Sequence, residues 1–148
     1  MASVLKRLTF AAAMLAVSGA ASAAEQRLET LAPQTLEAGQ CGLFLWSRSA
    51  DQSFVVVAYD QPAIARVRLE GRDRQLERTS FAGEPVQGHF ESQTFSDGRI
   101  KVVIDVQFDP DKPIRDGAII RNGLLRISAT GEAEVVMPVG GMVACKRT

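Results

Sequence analysis

From Cys41 to the C-terminus, apolar residues recur at every second position, the period of a strand with one buried face. The clearest run is Arg99 to Phe108, where Ile100, Val102, Ile104, Val106 and Phe108 share one side. Ala63 to Leu69 sets Ala65, Val67 and Leu69 against Arg66 and Arg68, while Arg74 to Phe81 and His89 to Ser96 alternate more weakly. Ser53 to Tyr59 is apolar almost throughout. Leu125, Ile127 and Ala129 face one way, as do Ala133, Val135, Met137 and Val139, before Gly140-Gly141 bends the chain into Met142 to Cys145. Gly71-Arg72-Asp73, Gly83-Glu84-Pro85, Ser96-Asp97-Gly98 and Asn122-Gly123 read as turns, the last two as hairpins. Asp109 to Gly117, with two prolines and five charges, reads as a surface loop. The pattern predicts eight or nine short strands over residues 41–148: an all-β antiparallel domain, either a sandwich or a partly closed barrel.

Ahead of this domain, in the segment 24–40, the period differs. Leu28, Leu31 and Ala32 fall at i, i+3 and i+4 and Pro33 stops the pattern, which predicts a short helix within 25–38. A helix that short must dock to persist. A dock is offered by the stretch CGLFLWSR, Cys41 to Arg48, which is apolar on both faces. If Ser49 to Gln52 closes a hairpin, Trp46 stands opposite Val55, Phe44 opposite Val57 and Gly42 opposite Tyr59. The other face carries Leu43, Leu45, Phe54, Val56 and Ala58. One face builds the core. The face with Phe44, Trp46 and Tyr59 is either covered by Leu28 and Leu31 or offered to a partner, for which tryptophan and tyrosine are favoured anchors.

The chain ends change the picture of where the domain works. Lys6-Arg7, the apolar Leu8 to Val17 and the small-x-small triplet Ala21-Ser22-Ala23 have the form of an export signal cleaved after Ala23. The apolar stretch falls short of the ~20 residues that span a bilayer, and no later segment is long enough either. The expected compartment is the periplasm, with secretion as the alternative. Removing residues 1–23 leaves 15 basic against 17 acidic residues, so no global field draws the protein to nucleic acid or to an anionic membrane. The two cysteines of an exported chain, Cys41 and Cys145, pair as a disulfide joining the first and last strands. Closing a loop of roughly 100 residues contributes about 4–5 kcal/mol in the chain-entropy model.

Candidate chemistry is sparse. There is no nucleophile elbow, P-loop or dinucleotide fingerprint, nothing calls for a cofactor, and a single histidine argues against a histidine-built metal site. The facing of His89, Glu91 and Gln93 depends on one turn. A two-residue Asp97-Gly98 loop places all three on the apolar face of Val102 and Ile104; a three-residue Ser96-Asp97-Gly98 loop places Phe90, Ser92 and Thr94 there instead. Unpartnered polar burial costs about 1–3 kcal/mol per group, which favours the second register. Arg66, Arg68, Arg74 and Arg78, with Arg72, gather on one hairpin as a candidate anion-binding face, although Glu70, Asp73 and Glu77 among them equally suit cross-strand ion pairs. The expectation is a small exported β-domain that binds an envelope protein or a glycan without catalysis. The alternatives are a small enzyme using His89 and Glu91 inside a barrel, or a structural subunit of an envelope complex.

Overall fold

The computed structural model describes residues 28–148; the expected export signal over 1–23 lies outside the described residues. Among the described residues nine strands form one sheet: β1 (Leu28–Glu29), β2 (Cys41–Ser47), β3 (Phe54–Tyr59), β4 (Ile64–Leu69), β5 (Arg72–Ala82), β6 (Ser92–Ser96), β7 (Ile100–Phe108), β8 (Gly117–Ala129) and β9 (Val135–Cys145). From β2 to β9 each strand pairs antiparallel with the next, and β9 returns to pair with β2. Eight strands thus close an up-and-down barrel, and β1 adds to β4 beyond the end of β3 through Leu28↔Leu69 and Glu29↔Arg68. Closure removes the exposed edges that a sandwich would have to protect.

Alternation along the strands fills the interior. Leu43 and Leu45 of β2, Val67 of β4, Leu76 of β5, Phe95 of β6, Val102 and Ile104 of β7 and Leu125 and Ile127 of β8 are all fully buried in one core. An eight-stranded barrel is just wide enough for side chains to occupy it, and each buried leucine or phenylalanine stabilises the fold by about 1.5–3 kcal/mol. The outer wall carries Arg66, Arg68, Lys101, Asp105 and Gln107 beside the apolar face of β2 and β3. Among the described residues no helix is long and apolar enough to cross a membrane. Cys41 and Cys145 stand directly opposite each other on the β2–β9 seam and are bonded, with Cα atoms 4.0 Å apart across a separation of 104 residues.

Five local expectations are corrected. Residues 28–38 are not helical: after β1 the segment runs extended along the sheet, with the Leu31 amide donating to the Phe54 carbonyl at 2.8 Å. Asn122-Gly123 is not a hairpin. Both flanks of β8 are already paired with β7 and β9, so the strand continues and absorbs the extra residues as a bulge between Ile120 and Gly123. Gly140-Gly141 does not bend the chain into a separate terminal segment either, since β9 runs through both glycines. Gly141 lies inside β9, where a Cβ would fall on the Phe44 carbonyl oxygen, so glycine permits the close approach of β9 to β2. Gly42 and Phe44 face Tyr59 and Val57 as expected, but a bulge at Val55 sets Trp46 opposite Phe54.

The fifth correction is the β6–β7 register. Phe95 faces Val102 and Gln93 faces Ile104, so Gln93 and Phe95 point inward and the three-residue register is excluded. The connecting turn is longer than either counted loop. Ser96 pairs with Lys101, and the Asp97 carboxylate accepts the amides of Arg99 and Ile100 at 3.0 and 2.8 Å. The inward polar groups are partly satisfied: the Gln93 side-chain oxygen accepts from Arg78, while Gln93 Nε2 and His89 Nδ1 have no partner among the described residues.

Candidate functional site

The second apolar face of β2–β3 is covered along most of its length. Leu31 is buried against Val57, Tyr59 and Ile64, with Leu36, Phe44 and Phe54 packed around them. Leu28 does not join this cover; it packs against the barrel core. Tyr59 is buried, its hydroxyl directed at the Gln34 side chain and its ring under the Arg66 guanidinium at 5.6 Å. The cover stops short of Trp46, which remains 37% exposed while its ring packs 5.2 Å from Phe54 and 6.5 Å from Phe44. Of the three aromatic residues expected to form a binding surface, the structure therefore presents Trp46, half-covers Phe44 and withdraws Tyr59.

What surrounds Trp46 is held in place before any ligand arrives. Its partner across β9 is Gly140, and the Arg48 side chain lies where a Gly140 Cβ would project. From there Arg48 donates from Nε to the Val139 carbonyl at 3.2 Å and from Nη2 to the Arg121 carbonyl at 2.5 Å. Arg121 sits at the β8 bulge, where the regular ladder is interrupted, so Arg48 serves a carbonyl the bulge leaves open. The β2–β3 loop is tied around Asp51, whose carboxylate accepts the hydroxyls of Ser49, Ser53 and Ser47. Those bonds hold the Asp51 carboxyl below the ordinary carboxylate range, Ser49 contributing most.

Arg48 divides two depressions on the outer wall. One, of about 680 Å³, is bounded by Trp46, Arg48, Gln52, Gly140 and Gly141. The other, of about 600 Å³, has Arg48, Glu91, Ser92, Asp105, Gln107 and Asn122 around a floor that includes Leu124 and Pro138. Asp105 is fixed by the Ser92 hydroxyl at 2.7 Å and by Arg126 at 2.5 Å, and the Asn122 amide donates to Gln107 at 3.4 Å. Sequence reasoning missed this groove and Arg48. The available signal was Asn122-Gly123, which marks the bulge once the hairpin reading is dropped.

His89 and Glu91 do not form a site. His89 is fully buried at the end of the barrel next to the disulfide, and Glu91 is exposed on the outer wall. His89 Nε2 lies 3.3 Å from the Cys41 carbonyl. Because a carbonyl only accepts, Nε2 carries the proton and Nδ1 is an acceptor with no partner among the described residues. Burial lowers the His89 pKa to about 4, with Arg78 adding to the effect while the Cys41 carbonyl and Asp60 oppose it. Gln93 accepts from Arg78 Nη1 at 3.1 Å, and the same nitrogen reaches the Gly88 carbonyl at 3.2 Å.

The arginines of the β4–β5 hairpin do not share a face. Arg66 and Arg68 point outward from β4, whereas Arg74 and Arg78 share the inward parity of Leu76 on β5. Arg68 is paired with Asp73 at 2.7 Å and Glu29 at 3.4 Å, and Arg74 with Asp97 at 3.1 Å. Arg66 lies on Tyr59, and Arg78 lies over the stacked rings of Phe81 and Phe90. Among the described residues no group of three histidine, cysteine or acidic side chains could hold a metal ion. No family model, curated protein or solved structure matches the chain.

Proposed function

We propose that the chain is an exported, non-catalytic binding barrel whose contact surface is centred on Trp46 and Arg48. The observation that carries the reading is Trp46 left 37% exposed on an aromatic face that is otherwise covered by the protein's own N-terminal segment. Tryptophan and arginine are the side chains most often found at the centre of binding surfaces. Both are ordered in advance here, which lowers the entropy that association must overcome. Export is supported by the pattern of Lys6-Arg7, the apolar run and Ala21-Ser22-Ala23, and a disulfide is compatible with an oxidising compartment.

The test combines exposure with capture. Trp46 is the only tryptophan, so acrylamide should quench the intrinsic emission readily. Cross-linking of the tagged protein in its native envelope should give a defined adduct that Trp46→Ala removes while the far-ultraviolet spectrum is kept. Emission shielded from acrylamide, or an adduct unchanged by Trp46→Ala, overturns the reading. The intact mass of the protein recovered from the envelope should correspond to a chain beginning at Ala24; a retained Met1 would remove the export assignment.

A further inference from the structure

We propose that the ligand is a neutral glycan chain, lying with one sugar ring on Trp46 and running past Arg48 into the groove over Leu124 and Pro138. The inference rests on the binding role assigned to Trp46 above and names the chemistry of what binds. The two depressions share Arg48 as a common wall, so the aromatic platform and the polar groove lie next to each other on either side of one side chain. The groove is lined by planar polar groups of both hydrogen-bonding kinds: amides at Gln107 and Asn122, carboxylates at Glu91 and Asp105, and the Arg48 guanidinium. Asp105 is already neutralised by Arg126. What remains is one cation and one anion, Arg48 and Glu91, so the groove selects for no net charge. An acidic or basic polymer would meet an unpaired like charge.

A sugar ring matches both halves of this surface. Its C–H face is apolar and suits an indole or the Leu124–Pro138 floor, and its hydroxyls each donate and accept, as amide and carboxylate pairs require. Hydroxyl ligands exchange hydrogen bonds with water for hydrogen bonds with protein at small net gain. The affinity therefore has to come from groups that lose little freedom on binding. Arg48, held by the Val139 and Arg121 carbonyls, and Asp105, held by Ser92 and Arg126, are of that kind. A protein partner that adds a strand is excluded by closure of the barrel, which leaves no long free edge on β2 to β9.

The emission of Trp46 reads binding directly. The disulfide-bonded protein is titrated with mono- to hexasaccharides of N-acetylglucosamine, of α-linked glucose and of β-linked glucose. One series should shift the emission saturably, with affinity rising with chain length as the ligand extends past Arg48. Asn122→Ala and Gln107→Ala, both outward-facing, should weaken the longest member about tenfold and leave the shortest unchanged. No saturable shift with any series, from a protein whose Trp46 is quenched by acrylamide, overturns the glycan assignment but not the binding surface. A Trp46 shielded from acrylamide overturns the binding surface itself. Binding without length dependence that both groove variants leave unchanged overturns the path past Arg48, and a shift given by envelope-derived peptides but by no sugar assigns the surface to a protein.

Discussion

His89 is enclosed on all sides and uncharged at neutral pH, which makes it an acid-sensitive point of the fold. Its pKa of about 4 lies below the ordinary histidine value of 6.5. Between those two pH values the unfolded chain binds the proton that the folded chain refuses. Stability from this group is therefore complete above about pH 6.5 and is lost as pH falls toward 4, amounting to about 3 kcal/mol at most. Urea midpoints measured from pH 7 to pH 4 should fall, and His89→Gln should flatten that slope. An unchanged slope in the variant would place the acid sensitivity elsewhere. The lowered carboxylates Asp51, Asp97 and Asp109 lose their contribution below about pH 5 in both proteins, so the difference between the two slopes isolates the histidine. Two adjacent glycines give a second contrast at this scale. Gly141→Ala presses a methyl group onto the Phe44 carbonyl, a backbone atom that cannot yield, and should cost about 3 kcal/mol or more. Gly140→Ala meets only the movable end of Arg48 and should cost about 1 kcal/mol, but it should also disturb the groove wall. Thermal melts of the two variants check the order. The placement of Trp46 on the second apolar face was legible from CGLFLWSR alone. The inward facing of Gln93 was not, because a parity argument is only as good as the loop length it assumes, and Asp97 builds a turn longer than either loop considered.

At the scale of elements, the segment before β2 shows how a correct docking argument can accompany a wrong secondary structure. Spacing at i, i+3 and i+4 over three residues suits a helix, but it also suits a strand whose side chains split between two layers. Leu28 packs against the barrel core and Leu31 covers the outside, a division a single helical face could not make. Hydrogen bonding decides it, since β4 and the Phe54 carbonyl offer the segment partners an isolated helical turn would lack. A chain beginning at Gln40 loses the buried Leu31 and the cover of Leu36. It should be destabilised by about 2–4 kcal/mol in urea melts and should show increased exposure of Tyr59 in its absorbance. A truncated chain as stable as the original would show that the cover contributes nothing. The β8 bulge carries the same lesson. Asn-Gly signals a hairpin only where its flanks pair with each other, and that pairing is a property of the neighbours β7 and β9, not of the dipeptide.

For the molecule as a whole, alternation and turns were enough to read an antiparallel all-β domain and the cysteine pair brought its ends together, but closure came from a seam with no local signature. The seam has a mechanical consequence. Cys41 and Cys145 lie at the same end of the antiparallel pair β2–β9, directly opposite each other. A pull on the two termini of the folded chain therefore first peels β1 and Leu31 from β4 and Phe54, and then enters and leaves through one sulfur–sulfur bond, which shields the strands between the cysteines. Only the flanks should lengthen in single-molecule stretching of the oxidised protein. After reduction the same pull acts on neighbouring strand ends and opens the seam one rung at a time, like a zipper, rather than sliding all seven paired residues at once. Rupture should then occur at low force and release the 104-residue interval between the cysteines, roughly 350 Å at the extended length per residue. A long extension from the oxidised protein, or a single high-force rupture from the reduced one, would contradict a seam loaded in this way.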